Sequence, residues 1–257
     1  RRPAIVFLQG LSLASMESTF ADLCRAWQAE GFVAMRIERR GVGDSEGAAP
    51  MHNDFEREVK DFHAGVQSIF DHDFVDPKRV FLFGYSVGGM IAPKLALGDR
   101  VAGYITYGSS AEPWFDCVEA GARRQGSMMG HAPEIIEERI AALRLEHRAE
   151  QPASAAIDGR PVLYHRQLHE ARLDAAWRQV ERPVLSLYGE YDFVVSEDET
   201  RGIATLAPNG EHRKLAGLDH LMMAHDSLTE SLKNYGRGRP DRERVARETS
   251  SFLRKLM

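Results

Sequence analysis

Short, uninterrupted apolar runs alternate along the chain with longer segments in which apolar residues recur every three or four positions. The runs have the length of β-strands covered on both faces, and the longer segments have the periodicity of amphipathic helices. Strands are predicted at residues 4–8, 32–37, 80–83, 101–107, 184–188 and 212–215, and helices at 15–30, 54–70, 90–97, 196–206 and 241–256. This alternation predicts an α/β protein with a mostly parallel sheet flanked by helices.

The alternation stops between residues 112 and 180. This stretch holds helix-forming residues, interrupted by glycines and prolines that signal turns, and contains no run of strand length. We expect a helical cap inserted into a core formed by residues 1–111 and 181–257. The alternative is a helical bundle that only enlarges the core and does not contact a ligand.

One apolar run ends in glycines that flank a serine. Residues 80–89 read Val-Phe-Leu-Phe-Gly-Tyr-Ser-Val-Gly-Gly, so Ser86 falls between a buried strand and a helix. Backbones approach closely at such a sharp turn, so the residues two positions before and after the serine must be small. Gly84 and Gly88 meet that need. The pattern predicts a nucleophilic serine, and the alternative is a glycine-rich turn whose serine only caps the helix.

A serine hydroxyl is a weak nucleophile that needs a base within hydrogen-bond reach and a third group to orient that base. In the chain order nucleophile, acid, histidine, both partners follow the serine. Asp192 comes after the strand at 184–188 and His220 after the next strand, so both lie at carboxyl ends of strands, where ligands gather in open α/β sheets. The rival carboxylates and imidazoles, which this order places less well, are Glu190, Asp219, His212 and His225.

Composition narrows the class of protein. The 257 residues are 43% hydrophobic, which is enough to build the core of one large domain or two small ones. The sequence has no apolar stretch of membrane-spanning length and no secretory signal in its first residues. The formal net charge is -5 and the basic residues are dispersed, which argues against a nucleic-acid partner. Cys24 and Cys117 are too few for a disulfide framework and predict buried thiols in a reducing compartment, the cytoplasm.

Two further patterns have features of ligand sites. The glycine-rich loop at residues 39–47 lacks the spacing of a phosphate-binding loop, and no helix opens within it. His165 and His169 are four residues apart, a spacing that can place two metal ligands on one helix face, but no third ligand accompanies them in a known pattern. We therefore predict neither a metal nor another cofactor.

These residues resemble the α/β-hydrolase superfamily, as a serine esterase-like member with a helical cap. The resemblance covers nearly the whole chain and includes the loop Arg-Gly-Val-Gly-Asp-Ser at residues 40–45, which is similar to a loop after the second strand in many such enzymes. It implies Ser86 as nucleophile, Asp192 as acid and His220 as base. Two features depart from the family. The β-hairpin that usually precedes the first strand is missing, which predicts a truncated chain, and the histidine-glycine of the oxyanion loop is replaced by residues 9–10, Gln-Gly.

The reaction expected from this resemblance is hydrolysis of a carboxylic ester or thioester through an acyl-enzyme, with a small-molecule acyl substrate. The backbone N–H groups of Leu11 and Val87 are the expected donors to the oxyanion. The residues that line the substrate pocket, or else pack in the core, are Tyr85, Trp114, Phe115, Met128, Met129 and Tyr164. The alternatives are an acyltransferase or a peptidase with the same triad, or a non-catalytic hydrolase-like binding protein. The oligomeric state is not predicted.

Overall fold

The computed structural model describes residues 1–15, 20–147 and 155–257. Its strands are β1 (Arg2–Leu8), β2 (Val33–Arg36), β3 (Val75–Tyr85), β4 (Gly103–Tyr107), β5 (Ala156–Ile157), β6 (Arg160–Pro161), β7 (Val184–Gly189), β8 (Gly210–Leu215), β9 (Met223–Ala224) and β10 (Arg239–Pro240). The central sheet has the order β2-β1-β3-β4-β7-β8, and every neighbouring pair in it is parallel. The predicted α/β fold class is confirmed.

Helices cover both faces of this sheet. They are α1 (Ala21–Ala29), α2 (Phe55–Ser68), α3 (Val87–Ile91), α4 (Trp114–Met128), α5 (Pro133–Glu146), α6 (Val162–His169), α7 (Leu173–Arg178), α8 (Glu197–Leu206), α9 (Leu228–Lys233) and α10 (Arg242–Arg254). Apolar side chains of α1 and α10 form the core on one face, and those of α2, α3, α7 and α8 form the core on the other.

Strand β1 shows why the apolar runs are uninterrupted. Successive side chains of a strand point to opposite faces of the sheet. Val6 and Leu8 of β1 belong to the core beneath α2 and α3, whereas Ile5 and Phe7 belong to the core beneath α1 and α10. Because both faces are covered, every one of these positions must be apolar.

The element ends differ from the predicted ones. Helix α1 begins at Ala21 rather than at residue 15, and residues 16–19 lie outside the described part of the chain. Strand β3 begins at Val75, several residues before the predicted start. Helix α3 ends at Ile91 and continues as a 3-10 turn, which is consistent with Pro93, a residue without an N–H for an α-helical bond.

The segment between β4 and β7 holds α4 to α7, together with a short antiparallel ribbon of β5 and β6 that the sequence did not predict. Each ribbon strand has two residues, too few to show an alternating pattern. Residues 148–154 of the predicted cap lie outside the described residues. Within the described ranges, no helix combines the length and the apolarity that crossing a membrane requires.

Candidate active site

Ser86 lies at the junction of β3 and α3. Its backbone has φ 52° and ψ -122°, a conformation that is strained for a residue with a side chain. The Ser86 N–H donates a hydrogen bond of 2.9 Å to the carbonyl of Tyr107 on the neighbouring strand β4. Ser86 is half-buried between fully buried neighbours and lines a cavity, so the strained turn presents its hydroxyl to that cavity.

The flanking glycines are required by close backbone contacts. A Cβ atom at Gly88 would lie 2.1 Å from the carbonyl oxygen of Leu8, and one at Gly84 would lie 2.5 Å from the Cα of Gly89. Both distances are shorter than real Cβ contacts. The Gly-x-Ser-x-Gly pattern is therefore explained by the crossing of β1, β3 and α3 at this point.

His220 lies between Ser86 and Asp192. Its Nε2 is 3.1 Å from Ser86 Oγ and its Nδ1 is 2.7 Å from Asp192 Oδ2. An ionised carboxylate can only accept hydrogen bonds, so Nδ1–H is the donor to Asp192 and Nε2 is left to accept from the serine hydroxyl. The structure thus brings the three predicted side chains into one hydrogen-bonded chain.

Asp192 is oriented by the backbone that follows it. Its Oδ1 accepts hydrogen bonds from the N–H groups of Val194, at 2.8 Å, and Val195, at 3.1 Å. This leaves Oδ2 directed at His220. The carboxylate is fully buried, and these contacts satisfy both of its oxygens.

The rival carboxylate Asp219 faces a different histidine. Its Oδ2 is 3.0 Å from Nε2 of His225, and its Oδ1 accepts from the N–H groups of Leu221 and Met223. The Tyr107 hydroxyl donates to its carbonyl at 2.7 Å. These hydrogen bonds of Asp219 stabilise the loop that carries His220.

The two remaining rivals also have other partners. Glu190 accepts a hydrogen bond of 2.9 Å from the N–H of Gly217. His212 lies on β8, 3.6 Å from the carboxylate of Glu197. Neither contact is part of the hydrogen-bonded chain from Ser86 through His220 to Asp192.

A cavity of about 520 Å³ opens above Ser86. Its volume is typical of sites for small molecules. The floor includes Leu11 and Val87, whose N–H groups are the predicted oxyanion donors. The walls come from α4, α5, the β5–β6 ribbon and the loops after β4 and β7, and they include Trp114, Cys117, Val118, Ala122, Gln125, Arg139, Ala142, Leu143, Glu146, Ile157, Asp158, Val194 and Val195.

Trp114 is the member of the six predicted pocket residues that lines this cavity. Tyr85 packs its ring 5.3 Å from that of His220, and Phe115 stacks on His169 at 4.4 Å. Met129 lies half-exposed at a second, smaller cavity, and Tyr164 is buried with its hydroxyl on Glu58. Met128 precedes Met129 at the end of α4 and lies outside the cavity lining. Residue type and helical spacing therefore did not separate pocket from core.

Several cavity residues were not predicted from the sequence. Val118, Gly121, Ala122 and Gln125 follow Trp114 on one face of α4. Their spacing of three or four residues was a usable signal. The cavity residues of the loops after β4 and β7 carry no comparable pattern.

His165 supports two walls of the cavity. The indole Nε1–H of Trp114 donates to its Nδ1 at 3.0 Å, and its Nε2 lies 3.1 Å from the carbonyl of Ile157. These partners require a neutral ring with its proton on Nε2. In agreement, burial lowers the pKa of His165 to about 4. The ring is thus a packing element, and the described residues include no group of three or more His, Cys, Asp or Glu that can hold a metal ion.

Both cysteines are buried and unpaired. Cys117 lines the cavity, where burial raises the pKa of its thiol to about 12. A thiol with this pKa stays protonated and is a poor nucleophile near neutral pH. Among the described residues that line the cavity, Ser86 has its hydroxyl within hydrogen-bond distance of an imidazole, that of His220.

Known proteins resemble the chain over different lengths. A family model described as serine aminopeptidase, S33, matches residues 1–134. Esterase EstD from Thermotoga maritima is 24% identical over 261 residues, which cover 98% of this chain and 62% of EstD. Polyketide transferase ATR5 from Stachybotrys chlorohalonatus is 32% identical over 123 residues, which cover 48% of this chain and 41% of ATR5. The chain thus spans less than two thirds of the length of either relative.

Solved structures resemble it in fold. DcsB, in a complex with its substrate analogue, superposes with a TM-score of 0.68 at 18% identity, covering 100% of this chain and 91% of DcsB. Est1E from Butyrivibrio proteoclasticus, with bound ferulic acid, gives a TM-score of 0.66 at 16% identity, covering 99% of this chain and 89% of Est1E. The solved structures share the fold, and the family match over more than half of the sequence shows that the chain belongs to the serine aminopeptidase S33 family of α/β-hydrolases.

Proposed function

We propose that the protein is a serine hydrolase that cleaves a carboxylic ester or thioester through an acyl-enzyme intermediate. The observation that carries this proposal is the hydrogen-bonded chain from Ser86 through His220 to Asp192 at the floor of a cavity of small-molecule size. Membership of the S33 family and the similarity to an esterase support it.

In the first half of the reaction, Ser86 Oγ attacks the acyl carbonyl carbon while His220 Nε2 takes the hydroxyl proton. Asp192 stabilises the imidazolium and maintains its orientation. The carbonyl oxygen, on which negative charge develops, accepts hydrogen bonds from the N–H groups of Leu11 and Val87. When the tetrahedral intermediate collapses, the bond to the alcohol or thiol breaks, and His220 returns the proton to that leaving group.

The second half repeats these steps with water. His220 removes a proton from a water molecule as the water oxygen attacks the acyl carbonyl, and the same two N–H groups stabilise the oxyanion. Collapse breaks the bond between acyl group and Ser86 Oγ, which regains its proton from His220. The acid leaves and the resting site is restored.

The walls favour an acyl group of small to medium size. Met90, Val118 and Leu143 contribute apolar surface to the cavity that Ser86 lines, and apolar surface binds acyl chains by the hydrophobic effect. We therefore propose that the cleaved compound is a small molecule with an apolar acyl part.

Peptide cleavage is the second candidate, and a specific observation favours it. The carboxylates of Glu146 and Asp158 line the cavity and are suited to bind the amino terminus of a peptide, the kind of substrate named in the family description. An aminopeptidase would hydrolyse an amino-acid p-nitroanilide with a free amino group much faster than the same compound with that amino group acetylated. An acyltransferase would instead increase product formation when an alcohol or thiol acceptor is added.

Covalent labelling tests the proposal. We expect wild-type protein to take up one fluorophosphonate per chain, measured by intact-protein mass spectrometry, and Ser86→Ala to take up none. Turnover of p-nitrophenyl acetate should fall by about 10³-fold or more in that variant. Ser109→Ala is the matched control, because Ser109 also lines the cavity and its hydroxyl has no hydrogen-bond partner in the described part of the chain. Stoichiometric labelling of Ser86→Ala would refute the assignment.

A further inference from the structure

The loop at residues 9–12, which carries the proposed oxyanion donor Leu11, rests on a buried group of charged side chains. We call this group the Glu58 cluster, and its members are Arg39, Glu58, Arg160 and Tyr164. All four are buried, and Arg160 is 0% exposed. Charged side chains are rarely this buried unless they are paired, so their arrangement calls for a specific explanation.

Glu58 ties the cluster together. Its Oε2 accepts from Arg39 Nε and from Arg160 Nη1, both at 2.9 Å. Its Oε1 accepts from Arg39 Nη2 at 3.2 Å and from the Tyr164 hydroxyl at 2.9 Å. Burial opposes ionisation of Glu58, but the guanidinium groups of Arg39 and Arg160 outweigh it and hold the pKa of the carboxyl below its ordinary value. The carboxylate is therefore ionised and has four donors.

Both guanidinium groups also donate to backbone carbonyls of the loop, whereas Arg160 Nε has no hydrogen-bond partner among the described residues. The contacts are Arg39 Nη1 to Ser12 O at 2.9 Å, Arg39 Nη2 to Gln9 O at 3.2 Å and to Gly10 O, and Arg160 Nη2 to Leu11 O at 3.4 Å. Each carbonyl of residues 9–12 thus accepts from one of the two arginines. A planar guanidinium fork can hold several acceptors in fixed directions at once, whereas a lysine ammonium cannot.

Holding these carbonyls also sets the direction of the N–H groups. In a trans peptide the C=O and N–H bonds point in opposite directions, and the described residues contain no cis peptide. Arg39 holds the Gly10 carbonyl, so the N–H of Leu11, in the same peptide unit, points away from the cluster. Gly10 itself packs against Ser86, since a Cβ at Gly10 would lie 3.0 Å from Ser86 Cβ.

We propose that Arg39 and Arg160, held in place by Glu58, are positioning residues for the oxyanion donor. Arg39 aims the Leu11 N–H through the Gly10 carbonyl, and Arg160 holds the next peptide unit through the Leu11 carbonyl. This inference rests on the function proposed above. The cluster also connects two parts of the molecule, because Arg160 and Tyr164 belong to the inserted segment and Arg39 and Glu58 to the core. The ribbon that carries Arg160 also contributes Ile157 and Asp158 to the cavity, so the substrate wall and the oxyanion loop share one support.

The test compares Arg39→Lys with Arg40→Lys. Lysine keeps the charge beside Glu58 but loses the fork. Arg40 is the matched control, because it directly follows Arg39 in the sequence and its guanidinium pairs with Asp61. For p-nitrophenyl acetate, we expect kcat of Arg39→Lys to fall by about 30-fold or more while KM changes by less than about threefold, as for the loss of an oxyanion donor. Arg40→Lys should stay within about twofold of wild type.

A boronic acid that forms a tetrahedral adduct with Ser86 provides the second measurement. Its inhibition constant should rise in Arg39→Lys by the same factor as kcat falls, because the adduct, unlike the bound substrate, places an oxygen in the oxyanion position. A purely structural role would lower the active fraction of the protein and leave this constant unchanged. Arg160→Lys, which alters the Leu11 carbonyl contact, should show a smaller change in the same direction and replaces Arg39→Lys if that variant does not fold.

The outcomes separate the two proposals. If wild type and Ser86→Ala turn over the ester equally, the proposed function is wrong. If Ser86→Ala is inactive but both arginine variants match Arg40→Lys in kcat and in boronate affinity, the proposed function stands and the positioning role is wrong.

Discussion

Two pairs of a carboxylate and an imidazole lie close together on the loops that follow β7 and β8. Asp192 contacts His220, and Asp219, the residue directly before His220, contacts His225. The pair that reaches the Ser86 hydroxyl is the one containing Asp192. The chemical difference between two similar carboxylates is therefore set by which imidazole each one faces.

This difference predicts that the same substitution, Asp to Asn, acts mainly on catalysis at Asp192 and mainly on stability at Asp219. Asp192→Asn should lower kcat by about 10⁴-fold, because the amide does not hold the imidazole in the tautomer that accepts the serine proton. Asp219→Asn should leave kcat within about tenfold of wild type and lower the free energy of unfolding by about 1–3 kcal/mol, because a buried hydrogen bond of the His220 loop is lost. Ester turnover measures kcat of both variants, and urea unfolding measures their free energy of unfolding. If Asp219→Asn alone were inactive, the assignment of the acid would be wrong.

At the scale of elements, helices α4 and α6 and the β5–β6 ribbon are joined through His165. The ring accepts from Trp114 on α4 and donates to Ile157 on β5. Protonation of His165 at Nδ1 would place an N–H group opposite the indole N–H of Trp114 and break the hydrogen bond between the two rings. The arrangement of these three elements thus depends on a neutral imidazole.

A pH dependence of stability follows. Burial lowers the pKa of His165 in the folded protein to about 4, from an ordinary value of 6.5. Between these values the unfolded chain binds a proton that the folded chain does not, so this group's contribution is complete above pH 6.5 and is lost as the pH falls toward 4. The slope is at most about 1.4 kcal/mol per pH unit.

His165→Gln isolates this contribution, since glutamine retains a donor for the Ile157 carbonyl but does not titrate. We expect the variant to be less stable than wild type at pH 7 and the difference to shrink by about 2 kcal/mol at pH 4.5. Urea unfolding at several pH values measures it. A difference that stays constant over this range would show that His165 does not titrate as inferred.

At the scale of the whole molecule, the cavity lies between the carboxyl end of the sheet and the inserted helices. Ser86 and Val87 form its floor, whereas Ala122 of α4 and Ala142 of α5 belong to its walls. The core therefore supplies Ser86, His220 and Asp192, and the inserted segment supplies much of the cavity wall. A substitution in α5 tests whether this segment contacts the substrate, as a cap would.

Ala142→Trp fills part of the cavity, and Ala141→Trp, on the same exposed stretch of α5 but outside the cavity lining, is its matched control. We expect Ala142→Trp to lower kcat/KM for p-nitrophenyl octanoate by about tenfold or more and to leave the acetate ester nearly unchanged. Ala141→Trp should affect neither ester. An equal loss for both esters with Ala142→Trp would show that the leaving group, rather than the acyl chain, occupies this wall.

The sequence by itself determined the features that arise from local patterning and backbone sterics. The apolar runs of β1 and β3 predict buried parallel strands because a sheet covered on both faces admits no polar positions. The glycines around Ser86 predict the sharp turn because a Cβ at either position has no room. The order of Asp192 and His220 after that serine placed both at the end of the sheet where the structure brings them together.

Only the tertiary structure decided which side chains line the cavity and which lie beneath it. Trp114 and Tyr164 are both aromatic residues of the inserted segment, yet one faces the cavity and the other donates to Glu58. Arg160 is 102 residues from Glu58, and no local pattern marks either as buried. Such contacts depend on how distant elements pack, because burial of a charged side chain is favourable only where its partners from other segments meet it.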